Sequence, residues 1–558
     1  MSETMDKNAL RWFHDARWGM FYHFGLYTLL GENENAVRNG PKAEYAALMQ
    51  RFAAERFDAE AWVDCAASMG ARYIVPTARH GEGFCLWPSK LTRYTVANTP
   101  CRHDIIGELA AACARRGDIK FALYFNWETW LNEGVNDDIW NRMGMTYPEF
   151  MEGQLTELLT GYGPIALLWF DHGHPTLTRD RLLAIHRTIK RLQPDCLVNN
   201  RGQTGDGAPI GDFRTPEREF PDSDPGRGLV IECCDSMGVH SWGFCRSDAI
   251  WSTPTLAARA SECASKGYNY LLNVEPAPDG TIREECVKVA AELGAWIKAN
   301  GSALAALPSP VRIVDPNIQE EPFIGRCTRA GVRLYLHFHQ WPSANEILLP
   351  VDGRIKKGAL SDRIAERGLI VGRLPSSPPS GSSPWVVPLD FESEPRLLPE
   401  PQKRPIECDP SGSQFLAPGE ASVATQNAII IPKLNRFPDG RVSMGSLHHV
   451  DDTLTWCVAV PAGGAFDVYM ALGSVARQEG AVFRLSSPVS QLEGRTWLTE
   501  HYSKPTRRAV GRLQLPSGTC ILELRVTAVP NGSFSDVHGI WLVPVSRPPA
   551  SDGQAESG

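Results

Sequence analysis

No stretch of the 558-residue sequence is long and apolar enough to span a bilayer, so no membrane partner is expected. The opening residues, MSETMDKNAL, lack both the basic start and the apolar core of a secretory leader, which makes a cytoplasmic location the expectation. Positive charge is in short supply: 56 Lys and Arg stand against 64 Asp and Glu, a net charge of −8, so nothing invites a phosphate backbone and nucleic acid is not an expected partner. The fourteen cysteines show no metal-ligand spacing. Scattered through apolar segments, as at Cys65, Cys113, Cys263 and Cys286, they read as buried free thiols. No repeat of solenoid length is present. No glycine-rich phosphate loop follows the first apolar run, where HFGLYT stands, which argues against a dinucleotide-binding sheet. What is present is 43% apolar and 22% charged residues over a length that suits two to four domains.

Across the first three hundred or so residues, short apolar runs alternate with amphipathic segments, the pattern of a parallel sheet with crossover helices. Eight strands are expected, at 19–24, 72–77, 120–125, 165–170, 196–199, 211–215, 229–233 and 270–274. Helices are expected between them at 59–69, 105–116, 147–159, 181–192, 254–265 and 284–300, with Gly70 and Gly117 placed to close two of them. The economical architecture is a (β/α)8 barrel over residues 1–305. Beyond it the helical period stops. Alternating runs suggest a small β-sandwich over 306–393, a proline-rich linker over 394–420, a second β-sandwich over 421–548 and a disordered tail over 549–558. In the second sandwich Trp456, Trp497 and Trp541 are candidates for stacking on sugar rings, although tryptophan in a sandwich is commonly core.

Barrel enzymes carry their chemistry at the C-terminal ends of the strands. Reading the residues there gives a polar ring: His23, His80, Tyr124 to Trp127, Asp171, Asn199 to Arg201, Arg214 and Glu232. Carboxylates, histidines and flat rings together suit a sugar substrate. Asp171 ends the wholly apolar run ALLWF; the competing reading is a helix cap or surface turn. Glu232 interrupts the apolar run LVIECC, where an Arg-paired structural glutamate is the alternative.

Several ordered segments then carry a family resemblance: RWGMFYHFGLY, FDAEAWVDCAASMGARYIVPTARHGEGFCLWPS, KFALYFNWETW, LLWFDHG, LVNNR, GDFRTPE, CCDSMGVHSWGF and LLNVEPAPDG. Their succession, from Trp12 to Trp296, resembles glycoside hydrolase family 29, the α-L-fucosidases. The resemblance implies a retaining exo-glycosidase acting on a fucosylated oligosaccharide or glycoconjugate, with no cofactor. It implies Asp171 as the nucleophile and Glu232, ahead of SWGF, as the acid/base, with Glu217 in RTPE as its rival. His23 and His80 match sugar-contacting histidines, and Tyr124, Trp169 and Arg214 are pocket residues by position. The chain departs from the family pattern at Gly81 and Glu82, where a second histidine and an aspartate are usual, and at Glu275, which adds a carboxylate near the barrel mouth. Two other functions stay open at this point: a metal-dependent hydrolase using the His172-Gly-His174 pair, and a non-catalytic carbohydrate-binding protein. Oligomeric state is not legible.

Overall fold

The computed structural model describes residues 7–32, 34–35, 41–130, 139–174, 176–201, 210–221, 230–317, 323–365, 368–381, 383–397, 406–408, 412–424, 433–436, 441–445, 447, 450–530 and 533–545. The expected tail at 549–558 lies outside them. The chain forms two compact units that divide near residue 400.

The first unit opens with the barrel. Its strands are β1 (Trp18–Tyr22), β2 (Tyr73–Arg79), β3 (Leu123–Asn126), β4 (Leu167–Asp171), β5 (Leu197–Val198), β6 (Phe213–Arg214), β7 (Val230–Ser236) and β8 (Asn269–Val274). They are parallel neighbours in the order β5-β4-β3-β2-β1-β8-β7-β6. A single parallel bridge between Asn199 and Phe213 joins the two ends, so the sheet closes on itself as the sequence predicts.

The crossover helices owe their limits to local chemistry. In Ala59–Met69 the Asp58 carboxylate accepts the Glu60 and Ala61 N–H groups, and Gly70 closes the helix in the left-handed region at φ 91°. Ile105–Arg116 repeats the device with Asp104 and Gly117. Such an N-cap contributes about 1 kcal/mol. The remaining crossover helices are Tyr147–Gly161, Arg179–Leu192, Thr253–Lys266 and Glu284–Ala299. Among the described residues, no helix follows β5 or β6.

Inside the barrel, alternation along each strand turns Phe21, Tyr73, Val75, Ala122, Tyr124, Leu167, Trp169, Leu197, Phe213, Cys234 and Leu271 into one core, which Phe13 of the N-terminal helix joins. Gly19 is required here, because a Cβ would sit 2.3 Å from the Tyr73 ring. All fourteen cysteines are free and thirteen are buried.

The same unit continues into a seven-stranded antiparallel sheet whose halves meet through one residue pair, Val314–Leu348, and share one apolar core. The second unit holds two six-stranded sheets around a common core that includes Trp456 and Trp497. Both tryptophans are buried, which removes them as exposed stacking platforms; Trp541 has Arg507 over its ring at 4.3 Å. Three short segments of the stretch expected to be a linker pair as strands, while 398–405 and 409–411 lie outside the described residues. Arg396–Leu397 pairs with Val351–Asp352, Ile406–Glu407 with part of Thr453–Val460, and Gln414–Leu416 with part of Asp536–Pro544.

Candidate active site at the barrel mouth

Asp171 is the last inward residue of β4, two positions above Trp169. Tyr124 Oη donates to Asp171 Oδ2 at 2.8 Å, and Arg201 Nη1 donates to Asp171 Oδ1 at 2.9 Å. His172 Nε2 lies 3.5 Å from Oδ2, and its backbone takes the left-handed φ of 52° to stand beside the carboxylate. Burial alone raises the Asp171 pKa, but the charges of His172 and Arg201 and the Tyr124 hydrogen bond outweigh it and hold the group well below the usual carboxylate range. It is an anion at any working pH.

Arg201 follows β5 and is fixed on three sides. Its Nη2 donates to the Thr215 carbonyl at 2.9 Å, Nε to Thr215 Oγ1 at 3.0 Å, and its guanidinium lies 4.5 Å from the Trp169 ring centroid. The same Nη1 that serves Asp171 donates to Glu217 Oε2 at 3.1 Å. Two oxygens bonded to one nitrogen at 2.9 and 3.1 Å lie no more than about 6 Å apart, and about 5 Å at the spacing of guanidinium N–H directions.

Glu217 and Glu232 occupy different levels of the barrel. Past Arg214 the chain continues as an extended bridge between Glu217 and Cys234, which carries Glu217 to the mouth with its side chain 45% exposed. The strand expected to end at residue 233 runs on to Ser236, so Glu232 is not at a strand end. It lies four residues below that end, roughly 13 Å along the strand. No part of it reaches solvent. Tyr73 Oη donates to its Oε2 and Trp169 Nε1 to its Oε1 at 2.9 Å. Burial pushes its pKa up to about 7, against the hydrogen bonds from Tyr73 and Trp169 and the charge of Arg201. The mouth position expected for Glu232 is therefore corrected: it is a floor residue, and the carboxylate that shares Arg201 Nη1 with Asp171 is Glu217.

His23 and His80 both lie against the Tyr124 ring. His23 follows β1 and is held by Asn273, whose amide nitrogen donates to Ser236 Oγ at 3.0 Å and to the Trp242 carbonyl at 2.7 Å. That fixes Asn273 Oδ1 as the acceptor of the His23 Nδ1 proton at 2.7 Å and leaves Nε2 as an acceptor. Burial lowers the His23 pKa to about 4, so the ring is neutral. His80 stacks on Tyr124 at 5.6 Å and meets His23 edge-on at 5.5 Å; Tyr124 stacks in turn on Trp169 at 5.6 Å. These rings form a continuous aromatic wall. Arg214 is not part of it. Alternation from the inward Phe213 turns its side chain to the outer face of the barrel, where it is buried.

The departures from the family pattern have structural consequences. A Cβ at Gly81 would lie 2.4 Å from the Trp130 indole, which packs edge-on to His80 at 5.2 Å. Glu82 is buried and accepts the Leu26 N–H at 3.1 Å. Glu275, expected to add charge near the mouth, is wholly buried and accepts the Cys245 N–H at 3.2 Å. The His-X-His pair does not converge: His172 sits between Asp171 and Glu128, while His174 bonds Thr176 at 2.7 Å and packs on Tyr147. Among the described residues, no three His, Cys, Asp or Glu side chains gather in a way that could hold a metal ion.

Trp242, Asn273 and Arg218 are residues of the site that sequence reasoning did not name. Arg201 stood in the polar ring, but its hydrogen bonds to two carboxylates depend on three strands meeting.

The chain is similar to tissue alpha-L-fucosidase of Rattus norvegicus, 28% identical over 372 residues, 61% of this chain and 78% of that protein. It is similar to plasma alpha-L-fucosidase of Homo sapiens at 27% over 384 residues, 62% of this chain and 80% of that protein. Among solved structures, alpha-L-fucosidase isoenzyme 1 from Paenibacillus thiaminolyticus matches with a TM-score of 0.59 at 29% identity, over 70% of this chain and 100% of that one. A Bacteroides thetaiotaomicron alpha-L-fucosidase, trapped as a covalent intermediate in complex with 2-fluoro-fucosyl fluoride, matches at 0.57 and 25% identity over 70% of this chain and 97% of that one. Residues 1–302, more than half the chain, match the family described as Alpha-L-fucosidase, and the protein belongs to that family of glycoside hydrolases, family 29.

Proposed function

We propose that the protein is an exo-acting, retaining α-L-fucosidase that removes fucose from oligosaccharides or glycoconjugates, with Asp171 as nucleophile and Glu217 as acid/base. The observation that supports this most is the shared nitrogen of Arg201. It keeps the two carboxylate oxygens within about 6 Å, near the roughly 5–5.5 Å of retaining enzymes and short of the 6.5–9.5 Å that an inverting enzyme needs to admit water.

In the first half-reaction Asp171 attacks the anomeric carbon while Glu217 gives its proton to the departing glycosidic oxygen. The charge of Arg201 has one carboxylate to balance at each stage. With Glu217 protonated, Arg201 serves Asp171; once Asp171 is esterified and neutral, the same nitrogen serves the newly formed Glu217 carboxylate. In the second half-reaction Glu217 takes a proton from water, which attacks the ester and frees Asp171. Tyr124, bonded to Asp171 Oδ2, orients the carboxylate for its attack on the anomeric carbon. His23 offers a neutral ring nitrogen to a sugar hydroxyl, and the wall of Trp169, Tyr124 and His80 covers the apolar face.

The test is proton NMR of the wild-type enzyme acting on an aryl α-L-fucoside, beside the matching α-L-galactoside. The α-anomer of fucose is expected first. Initial release of the β-anomer would make Asp171 a base and discard the double displacement; preference for the galactoside would discard the substrate.

A further inference from the structure

We propose that Arg218 is the positioning residue of the acid/base, holding Glu217 at the mouth and tying it to the loop that carries Trp242. This rests on Glu217 being the acid/base.

Beyond the hydrogen bond from Arg201, Glu217 has little of its own to hold it. Its carboxylate is half exposed and its strand has been reduced to a single bridge, in which Cys234 N donates to the Pro216 carbonyl at 3.1 Å and Arg218 N to the Cys234 carbonyl at 2.8 Å. The next residue does the anchoring. Arg218 turns into the left-handed region at φ 53°, a conformation suited to glycine, and its guanidinium swings back over the loop that leaves β7. Nη1 donates to the Val239 carbonyl at 2.6 Å, while Nη2 reaches the carbonyls of Ser241 at 3.2 Å and Gly238 at 3.4 Å. The same group lies 5.1 Å from the centroid of the Trp242 ring. Trp242 faces His23 at 5.2 Å, and its carbonyl takes the Asn273 amide that also orients His23. One guanidinium therefore fixes both the arm bearing the proton donor and the aromatic side of the pocket.

A backbone requirement and a guanidinium requirement predict opposite things for glycine. Arg218→Gly suits the left-handed backbone and removes every tie to the loop. The assay compares Glu217→Ala, Arg218→Gly, Arg218→Lys and the double variant Glu217→Ala/Arg218→Gly on an activated aryl α-L-fucoside and on an unactivated fucosyl disaccharide, with and without azide. Thermal melts confirm folding. For Arg218→Gly, kcat is expected to fall about 10- to 100-fold on the disaccharide, with a loss about ten-fold smaller on the aryl fucoside, and azide is expected to accelerate the latter. Arg218→Lys should recover part of the loss. The double variant should be no slower on the disaccharide than Glu217→Ala alone, because the arginine acts through the glutamate. Equal losses on both substrates, or an additive loss in the double variant, would overturn the positioning role while leaving Glu217 in place. Should Glu217→Ala itself show no dependence on the leaving group, the acid/base assignment falls and the role of Arg218 with it.

Discussion

Replacing Glu232 with glutamine separates a buried structural carboxyl from a catalytic one, because the two roles predict different quantities. In the folded protein the Glu232 pKa is pushed from the ordinary 4.5 up to about 7. Below pH 4.5 the group is protonated in both folded and unfolded chains, and its hydrogen-bonded neutral form contributes fully. As pH rises from 4.5 through 7 the unfolded chain ionises first, so this stability is progressively lost. At about 1.4 kcal/mol per pH unit, the loss is about 3 kcal/mol once pH exceeds 7. Glutamine keeps a neutral polar group beside Tyr73 and Trp169 at every pH. Urea unfolding followed by tryptophan fluorescence should therefore show the variant gaining on the wild type by about 3 kcal/mol between pH 4.5 and pH 8, with little difference at the acid end. Glu82 and Glu275, each raised to about 8 by burial, weaken both proteins in the same direction and drop out of the difference. Turnover of an unactivated fucoside should stay within about ten-fold of the wild type, whereas loss of a general acid costs roughly 10²- to 10⁴-fold. A stability difference that does not change with pH would refute the burial argument. A collapse in turnover rescued by azide would return the acid/base to Glu232.

Two further substitutions probe the nucleophile. Asp171→Asn removes the group that forms the ester and should cost on the order of 10³-fold or more in kcat with the fold intact, partly restored by formate or azide; retention of a substantial fraction of activity would displace Asp171 from its role. Arg201→Met removes a cation that helps hold the Asp171 carboxyl down, so that pKa moves up toward its ordinary value. Since the nucleophile must be ionised and activity disappears as pH falls through its pKa, the acid limb of the kcat/KM profile should move to higher pH; an unmoved limb would mean that Arg201 does not set the charge of Asp171.

The parts of the protein written in local chemistry were legible in the sequence. The helices Ala59–Met69 and Ile105–Arg116 stand at their expected limits because Asp58, Gly70, Asp104 and Gly117 cap them within a few residues. Asp171 was legible because a charge directly follows an unbroken apolar run. The choice between Glu232 and Glu217 as the second carboxylate stays open in the sequence, since it depends on where two strands stop. Pro216 has no N–H to give a ladder, so β6 breaks off in composition at Thr215 although pairing resumes at Glu217. In β7 the residues Asp235 and Ser236 read as the start of a turn, yet they pair with Leu272 and Asn273 of β8. Inward positions recur every second residue, so Glu232, Cys234 and Ser236 climb one face of the strand toward the mouth in steps of roughly 6.6 Å. An error of three residues in the strand end changes no residue's polarity and no face. It changes depth alone, and depth decides whether a carboxyl meets the sugar or, bonded to Tyr73 and Trp169, forms the floor beneath it.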